Sequence, residues 1–226
     1  MNAPKLWRGQ TLRDRSDERR EQLLDVGLEL LGTGGTAAVT MRAVTRQANL
    51  SPRYFYESFD SREALITAVY DRVESGLRDH VIAVAPAADP RAAIRSALQT
   101  CADFFAEDPR RARVLLREPL ADDTLRWHAT VRTPAAIRAF AAILGAAGTD
   151  LFSSSDENLA VLGTALAGAL TALYLDWTDG RLKIDRDRFV DTAAGIVASL
   201  LRIAVELPPS ESATPPDISE PGGTAV

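Results

Sequence analysis

An all-α fold is predicted by three features of this 226-residue chain. Apolar residues recur with the 3.6-residue period of helices, and no stretch beyond residue 86 alternates with the period of two that a half-buried strand requires. Proline repeatedly follows a capping side chain, in Ser51-Pro52, Asp89-Pro90 and Asp108-Pro109, where its missing N–H costs a helix start nothing. Hydrophobic residues make up 46% of the chain, ample for a packed core in one large domain or two small ones.

Taken in order, residues 1–15 lack an apolar signal-peptide core and read as a flexible arm. Ser16 or Asp17 caps a first helix reaching Leu31, with Leu23, Val26, Gly27, Leu30 and Leu31 on one face, and Gly32-Thr33-Gly34-Gly35 ends it. Thr40 caps a second helix that runs from Met41 to about Ala48. Asn49 tolerates a left-handed backbone, so the chain turns sharply there while Leu50 fills the corner. Ser51 as cap and Pro52 as first residue start a short third helix to Ser58. Phe55 and Phe59, four apart, face inward, leaving Arg53, Tyr54 and Glu57 outward and Tyr56 on the flank.

Asp60-Ser61-Arg62-Glu63 resembles a capping box opening a helix to about Val84, stopped by Ala85-Pro86. Helices are expected near 90–106 and 109–118, the second closed by Pro119, then over 122–147 with a kink near Arg132-Thr133 forced by Pro134. The last two fall near 156–177 and 185–207. From Pro208 onward, five prolines and two glycines make a disordered tail, residues 208–226.

Helix, tight turn and a second helix presenting its N-terminal side chains form the helix-turn-helix plan, in which the second helix enters the DNA major groove. The net charge of -5 runs against a nucleic-acid partner, but its distribution does not: residues 1–62 hold ten Lys/Arg against eight Asp/Glu, the remainder 16 against 23. Residues 20–65 resemble the DNA-binding domain of the tetracycline-repressor (TetR) family. The matching features are the apolar run from Leu23-Leu24 to Leu30-Leu31, Gly35, the Thr40-Met41-Arg42 helix start, Ser51, Tyr56 with Phe59 three residues on, and Arg62 followed by Glu63-Ala64-Leu65. Thr45 stands where the family commonly has alanine, and Asn49 where glycine is common in the turn.

The resemblance implies a three-helix DNA-binding domain at 16–60 followed by a helical effector-binding and dimerisation domain at 61–207. It points to Thr40 and Arg42 at one helix start, to Ser51, Pro52, Arg53 and Tyr54 facing bases and phosphates, and to Tyr56 and Arg62 on phosphates. Thr40 and Ser51 are structural caps first. Glu57 either pairs with Arg53 at i,i+4 or accepts from a cytosine amino group. Lys5, Arg8, Arg13 and Arg15 either reach a minor groove or belong to a solvated tail.

No charge interrupts Asn158 to Leu175, about 18 residues and close to the length of a membrane span. Abundant Ala, Gly and Thr, acidic flanks and the lack of a basic anchor argue for a soluble helix that must be covered on all sides. The resemblance implies the cover: the helices near 156–177 and 185–207 pair with their copies in a homodimer. Gly163, Ala167 and Gly168 then let backbones approach, and Phe189, Ile196, Leu200 and Ile203 give the last helix its stripe.

The family further implies a cavity in the body for a small-molecule effector, with Cys101, Phe104, Phe105, Trp127, His128, Val131 and Tyr174 as candidates. Ordinary core packing is the competing reading for these aromatic residues, and a hydrogen-bonded structural role for His128. A pocket of this kind is expected to be largely apolar and to suit an apolar or aromatic effector. One cysteine excludes an intrachain disulfide and suggests a reducing cytoplasm. His80 and His128 lack spaced cysteine or carboxylate partners, and no glycine-rich phosphate loop follows a strand, so neither an enzyme, a metal site nor a cofactor is expected. The expected function is that of a ligand-responsive repressor binding double-stranded DNA at a palindromic operator. The alternative is a helical adaptor, which has no need of Arg42, Tyr54, Tyr56 and Arg62 around a helix-turn-helix and predicts no salt-dependent DNA binding.

Overall fold

The computed structural model describes residues 12–83, 89–132 and 156–206, and all regular structure among them is helical. The first helix, α1, spans Leu12–Gly34. It starts ahead of the expected Ser16 cap, so residues 12–15, expected in a flexible arm, form its first turn. It also runs on past Leu31 and stops at Gly35, whose φ of 75° suits a residue without a Cβ. A 3-10 turn over Thr36–Ala38 leads to α2, Met41–Gln47. Thr40 caps α2 as expected, its hydroxyl accepting the Ala43 N–H at 3.1 Å. Asn49, at φ 51°, closes the turn.

In α3, Pro52–Ser58, Ser51 occupies the cap position but its hydroxyl makes no capping bond, so Pro52 alone sets the start. The α4 helix spans Arg62–Ile82, capped by the Ser61 hydroxyl on the Ala64 N–H at 3.1 Å. That is one residue later than the Asp60-to-Glu63 box requires. The Leu23, Leu24 and Leu31 side chains of α1 are buried together with Val44, Phe55, Phe59, Leu65 and Val69. Each such side chain contributes about 1.5–3 kcal/mol on burial. Gly27 is the crossing point of α1 and α4: a Cβ there would lie 2.8 Å from Val69 Cγ2.

The body opens with α5, Pro90–Glu107, whose Asp89 cap accepts the Ala92 N–H at 2.9 Å. Next come α6, Pro109–Ala112, a π-helical segment Arg113–Arg117, and α7, Glu118–Ala121. Pro119 therefore does not close a helix at 118. The π turn, in which the Glu118 N–H bonds to the Arg113 carbonyl, absorbs the residue that cannot donate, and the helix resumes. Residues 123–132 form α8, capped by Asp122 on the Leu125 N–H at 3.0 Å. The expected kink at Pro134, the stop at Pro86, Lys5 and Arg8 of the arm and the tail from Pro208 lie outside the described residues.

The last two helices, α9 at Asp156–Thr178 and α10 at Arg186–Glu206, match their expected bounds to within one residue. Here α10 packs on α5 and α9. Its inward face is Phe189, Val190, Ala193, Ala194 and Val197, all buried, whereas Ile196 is exposed. The expected stripe of Phe189, Ile196, Leu200 and Ile203 is thus divided: Phe189 joins the core, Ile196 with the half-buried Leu200 makes a second, outward apolar face, and the Ile203 side chain lies outside those described. On α9, Val161, Thr164, Ala165, Gly168 and Ala172 are exposed at helical spacing. The window Val161–Thr178 has a mean hydropathy of 1.2, enough by length and composition to cross a membrane, and only 11% of it is buried within the subunit.

Candidate nucleic-acid interface

Each of the two short helices has one buried and one outward side, and the outward sides carry the cationic and phenolic groups. In α2, Val44 and Thr45 are buried while Arg42 and Arg46 are exposed. The Thr45 hydroxyl donates to the Met41 carbonyl at 2.9 Å, which satisfies this polar group where the family commonly has alanine. In α3, Phe55 and Phe59 stack into the core with ring centroids 6.0 Å apart, while Tyr54 and Tyr56 are 37% and 57% exposed. Thr40, Arg42, Ser51, Pro52, Arg53, Tyr54 and Tyr56 are all exposed along one side of the helix-turn-helix unit.

Glu57 is neutralised within this surface. Arg53 Nε donates to its Oε1 at 2.9 Å, the i,i+4 pair expected, and Arg19 Nη2 lies 3.8 Å from its Oε2. Arg19 also covers the Tyr54 ring, 4.5 Å from guanidinium carbon to centroid, and Arg20 covers Phe59 at 4.7 Å. The sequence marks these α1 residues only as two adjacent arginines, because the ring faces they cover belong to Tyr54 and Phe59, more than thirty residues away.

Arg62, expected on phosphate, is engaged within the protein. Its Nη2 donates to the Thr36 carbonyl, its Nε to the Val39 carbonyl at 2.5 Å and its Nη1 to Glu63 at 3.0 Å. The guanidinium thus ties the loop ahead of α2 to the start of α4. The helix start and the Arg62 pairing hold the Glu63 carboxyl below the usual carboxylate range.

The seven effector candidates do not converge. Cys101, Phe104, Phe105 and Tyr174 share one core, continued by edge-to-face contacts from Phe105 to Tyr174 at 5.3 Å and Tyr174 to Phe189 at 5.1 Å. The Tyr174 hydroxyl donates to the Leu98 carbonyl at 2.8 Å, and burial pushes its acidity well away from the ordinary tyrosine range. Trp127 and Val131 instead face outward on α8, 72% and 61% exposed. His128 Nε2 pairs with Asp71 at 2.6 Å and its ring meets Tyr70 edge-on, the structural role. A cleft of about 430 Å³ at the meeting of α1, α4, α5 and α6 is walled by Leu28, Val73, His80, Phe104, Arg110 and Arg111. It is more polar than the expected pocket, and Phe104 alone of the seven reaches it.

Although Cys101 is part-exposed as a residue, the protein packed around its sulfur pushes the thiol up to about 12. At pH 8 the native protein is expected to alkylate with iodoacetamide about three orders of magnitude more slowly than the urea-unfolded chain, since the thiolate is the reactive form. Equal rates, read by mass spectrometry, would show an open sulfur.

Among the described residues the structure is helical, and its N-terminal helices form a helix-turn-helix with a cationic and phenolic outer face, the arrangement by which such units enter a DNA groove. Residues 23–69 match the family model described as bacterial regulatory proteins, tetR family. The likeness to the tetR family rests on this N-terminal segment. It is similar to the HTH-type transcriptional regulator BetI of Rhizobium meliloti (strain 1021), 36% identical over 93 residues, covering 40% of this chain and 46% of the relative. It is also similar to the nucleoid occlusion factor SlmA of Glaesserella parasuis, 27% identical over 99 residues, 43% of this chain and 49% of the relative. The chain thus spans about half the length of the curated relatives it matches. The fold extends further. A tetR-family transcriptional regulator from Streptomyces coelicolor superimposes over 84% of this chain and 83% of its own, with a TM-score of 0.65 at 20% identity. A TetR-like regulator from Rhodococcus sp. RHA1 does so over 83% and 96%, with a TM-score of 0.60 at 23% identity.

Proposed function

We propose that this protein is a cytoplasmic, non-enzymatic transcriptional regulator that binds a palindromic DNA operator as a homodimer, represses transcription and is released by a small-molecule effector. The observation that carries it is the outward row of Arg42, Arg46, Arg53, Tyr54 and Tyr56 over the buried Val44 and Phe55. In this reading residues 16–60 read DNA and residues 61–207 dimerise and bind the effector. Two-fold symmetry of the protein is mirrored in the operator, with half-sites about 34–36 Å apart or a multiple of that. Support for the dimer comes from the exposed, uncharged face of α9 beside Ile196 and Leu200 of α10, apolar surface that a second copy would cover.

The test is selection of bound sequences from a random duplex library, then titration of the winning duplex at several salt concentrations. A palindrome is expected to be recovered. Arg42→Ala should weaken binding across sequences and lower the salt slope by about one per subunit, as for a lost phosphate contact. Tyr56→Phe should weaken binding without changing that slope. Recovery of no enriched motif at low salt, from folded dimer, would return the reading to a helical adaptor.

A further inference from the structure

We propose that Glu118 is a positioning residue through which the body sets the placement of the reading helices, acting with its neighbour Arg117. The proposal rests on the DNA-binding reading above. Glu118 is 4% exposed, an acid buried at the resumption of helix after the π turn. Its Oε2 accepts the Thr36 N–H at 3.0 Å, and its Oε1 accepts from Arg113 Nε at 2.9 Å. Arg113 in turn donates through Nη1 to the Thr33 carbonyl at 2.8 Å. A carboxylate and a guanidinium from the body thus grip the loop between α1 and α2.

The fit is close enough to dictate the loop's sequence. A Cβ on Gly35 would lie 2.9 Å from Arg113 Nη2 and 3.0 Å from both Glu118 carboxylate oxygens, at a φ that already disfavours side chains. From the other side Arg62 takes the Thr36 and Val39 carbonyls. The Thr36 residue is therefore held by its N–H from the body and by its C=O from α4. Thr40, the cap of α2, follows four residues on, so displacement of Glu118 must be passed to α2 or break these bonds.

Arg117 links the same segment to α9. Its Nη2 pairs with Asp179, just beyond the end of α9. Two consecutive residues thus join α9, a helix of the proposed dimer face, to the helix-turn-helix unit, and the π-helical turn that ends at Arg117 can exchange with α-helical register. A change in the spacing of α9 against its copy has a short mechanical route to α2 through polar contacts that are directional and buried at one end.

The test uses the full-length dimer as wild type, Glu118→Gln and Arg117→Ala. Three readouts are taken: amide exchange over residues 33–47, affinity for the selected duplex, and melting temperature. Glu118→Gln is expected to speed exchange at Thr36 by about tenfold or more, because the amide loses its charged acceptor. Arg117 touches none of the loop, so Arg117→Ala is the deciding variant. Exchange over residues 33–47 should rise and duplex affinity should change several-fold, with the melting temperature held. Unchanged exchange and affinity in Arg117→Ala, whatever Glu118→Gln does, would reduce Glu118 to a local staple and overturn the proposal. Failure of wild type to bind any duplex would sink the DNA-binding reading, while the exchange arm still decides the linkage.

Discussion

Gly168→Glu is expected to turn the proposed dimer into a folded monomer. The glycine lies on the exposed face of α9, and a Cβ built on it meets nothing within 4 Å in the subunit. Replacing glycine inside a helix adds about 0.5–1 kcal/mol of helix stability, so the subunit itself gains. In a two-fold interface the same change brings a carboxylate from each copy into an apolar seam. An uncompensated buried charge costs about 3–5 kcal/mol, or two or more orders of magnitude in dissociation constant for each copy. Sedimentation equilibrium should find monomer for the variant and dimer for wild type, at an unchanged helical content by circular dichroism. Operator affinity should collapse with it, since one reading unit holds only one half-site. A wild-type dissociation constant would place the interface on another face.

Phe55→Ala is expected to cost about 3–5 kcal/mol, a large share of the 5–15 kcal/mol that typically holds a domain together. Phe55 is 1% exposed, and its ring meets Phe59 at 6.0 Å and Tyr56 edge-on at 5.6 Å. Removal leaves a cavity under a helix of seven residues, which has few other apolar contacts with which to collapse around it. Urea titration followed by circular dichroism gives the number. A loss below about 1 kcal/mol would mean that α3 is held mainly by its neighbours in sequence instead of its core.

The parts of the fold legible in the sequence were those set by residues close together in the chain. The Thr40 cap, the left-handed Asn49 and the inward Phe55 and Phe59 each follow from spacing within one or two turns, and each is present. The Arg53–Glu57 pair is another such case. What escaped was set by long-range partners. Arg62 is basic at the start of a helix, which suggests an anion, but carbonyls of residues 36 and 39 reach it first. Glu118 lies 82 residues from the amide it accepts, and nothing near it in sequence marks it for burial. Likewise Trp127, His128 and Val131 look like core by residue type, yet α8 turns two of them outward and gives the third to Asp71. Pro119 misled for a different reason, because a π turn offers a proline an exit that α-helical geometry does not.

The two reading helices are seven residues each, fewer than two full turns apiece. Isolated helices below about 12–15 residues are marginal in water even with favourable sequences. A peptide copied from Pro52–Ser58 would therefore lose its shape on excision, and with it any grip on a groove. If the proposed function holds, re-targeting to a new operator is then a matter of exchanging outward residues on the intact scaffold, with Leu50, Phe55 and Phe59 left in place.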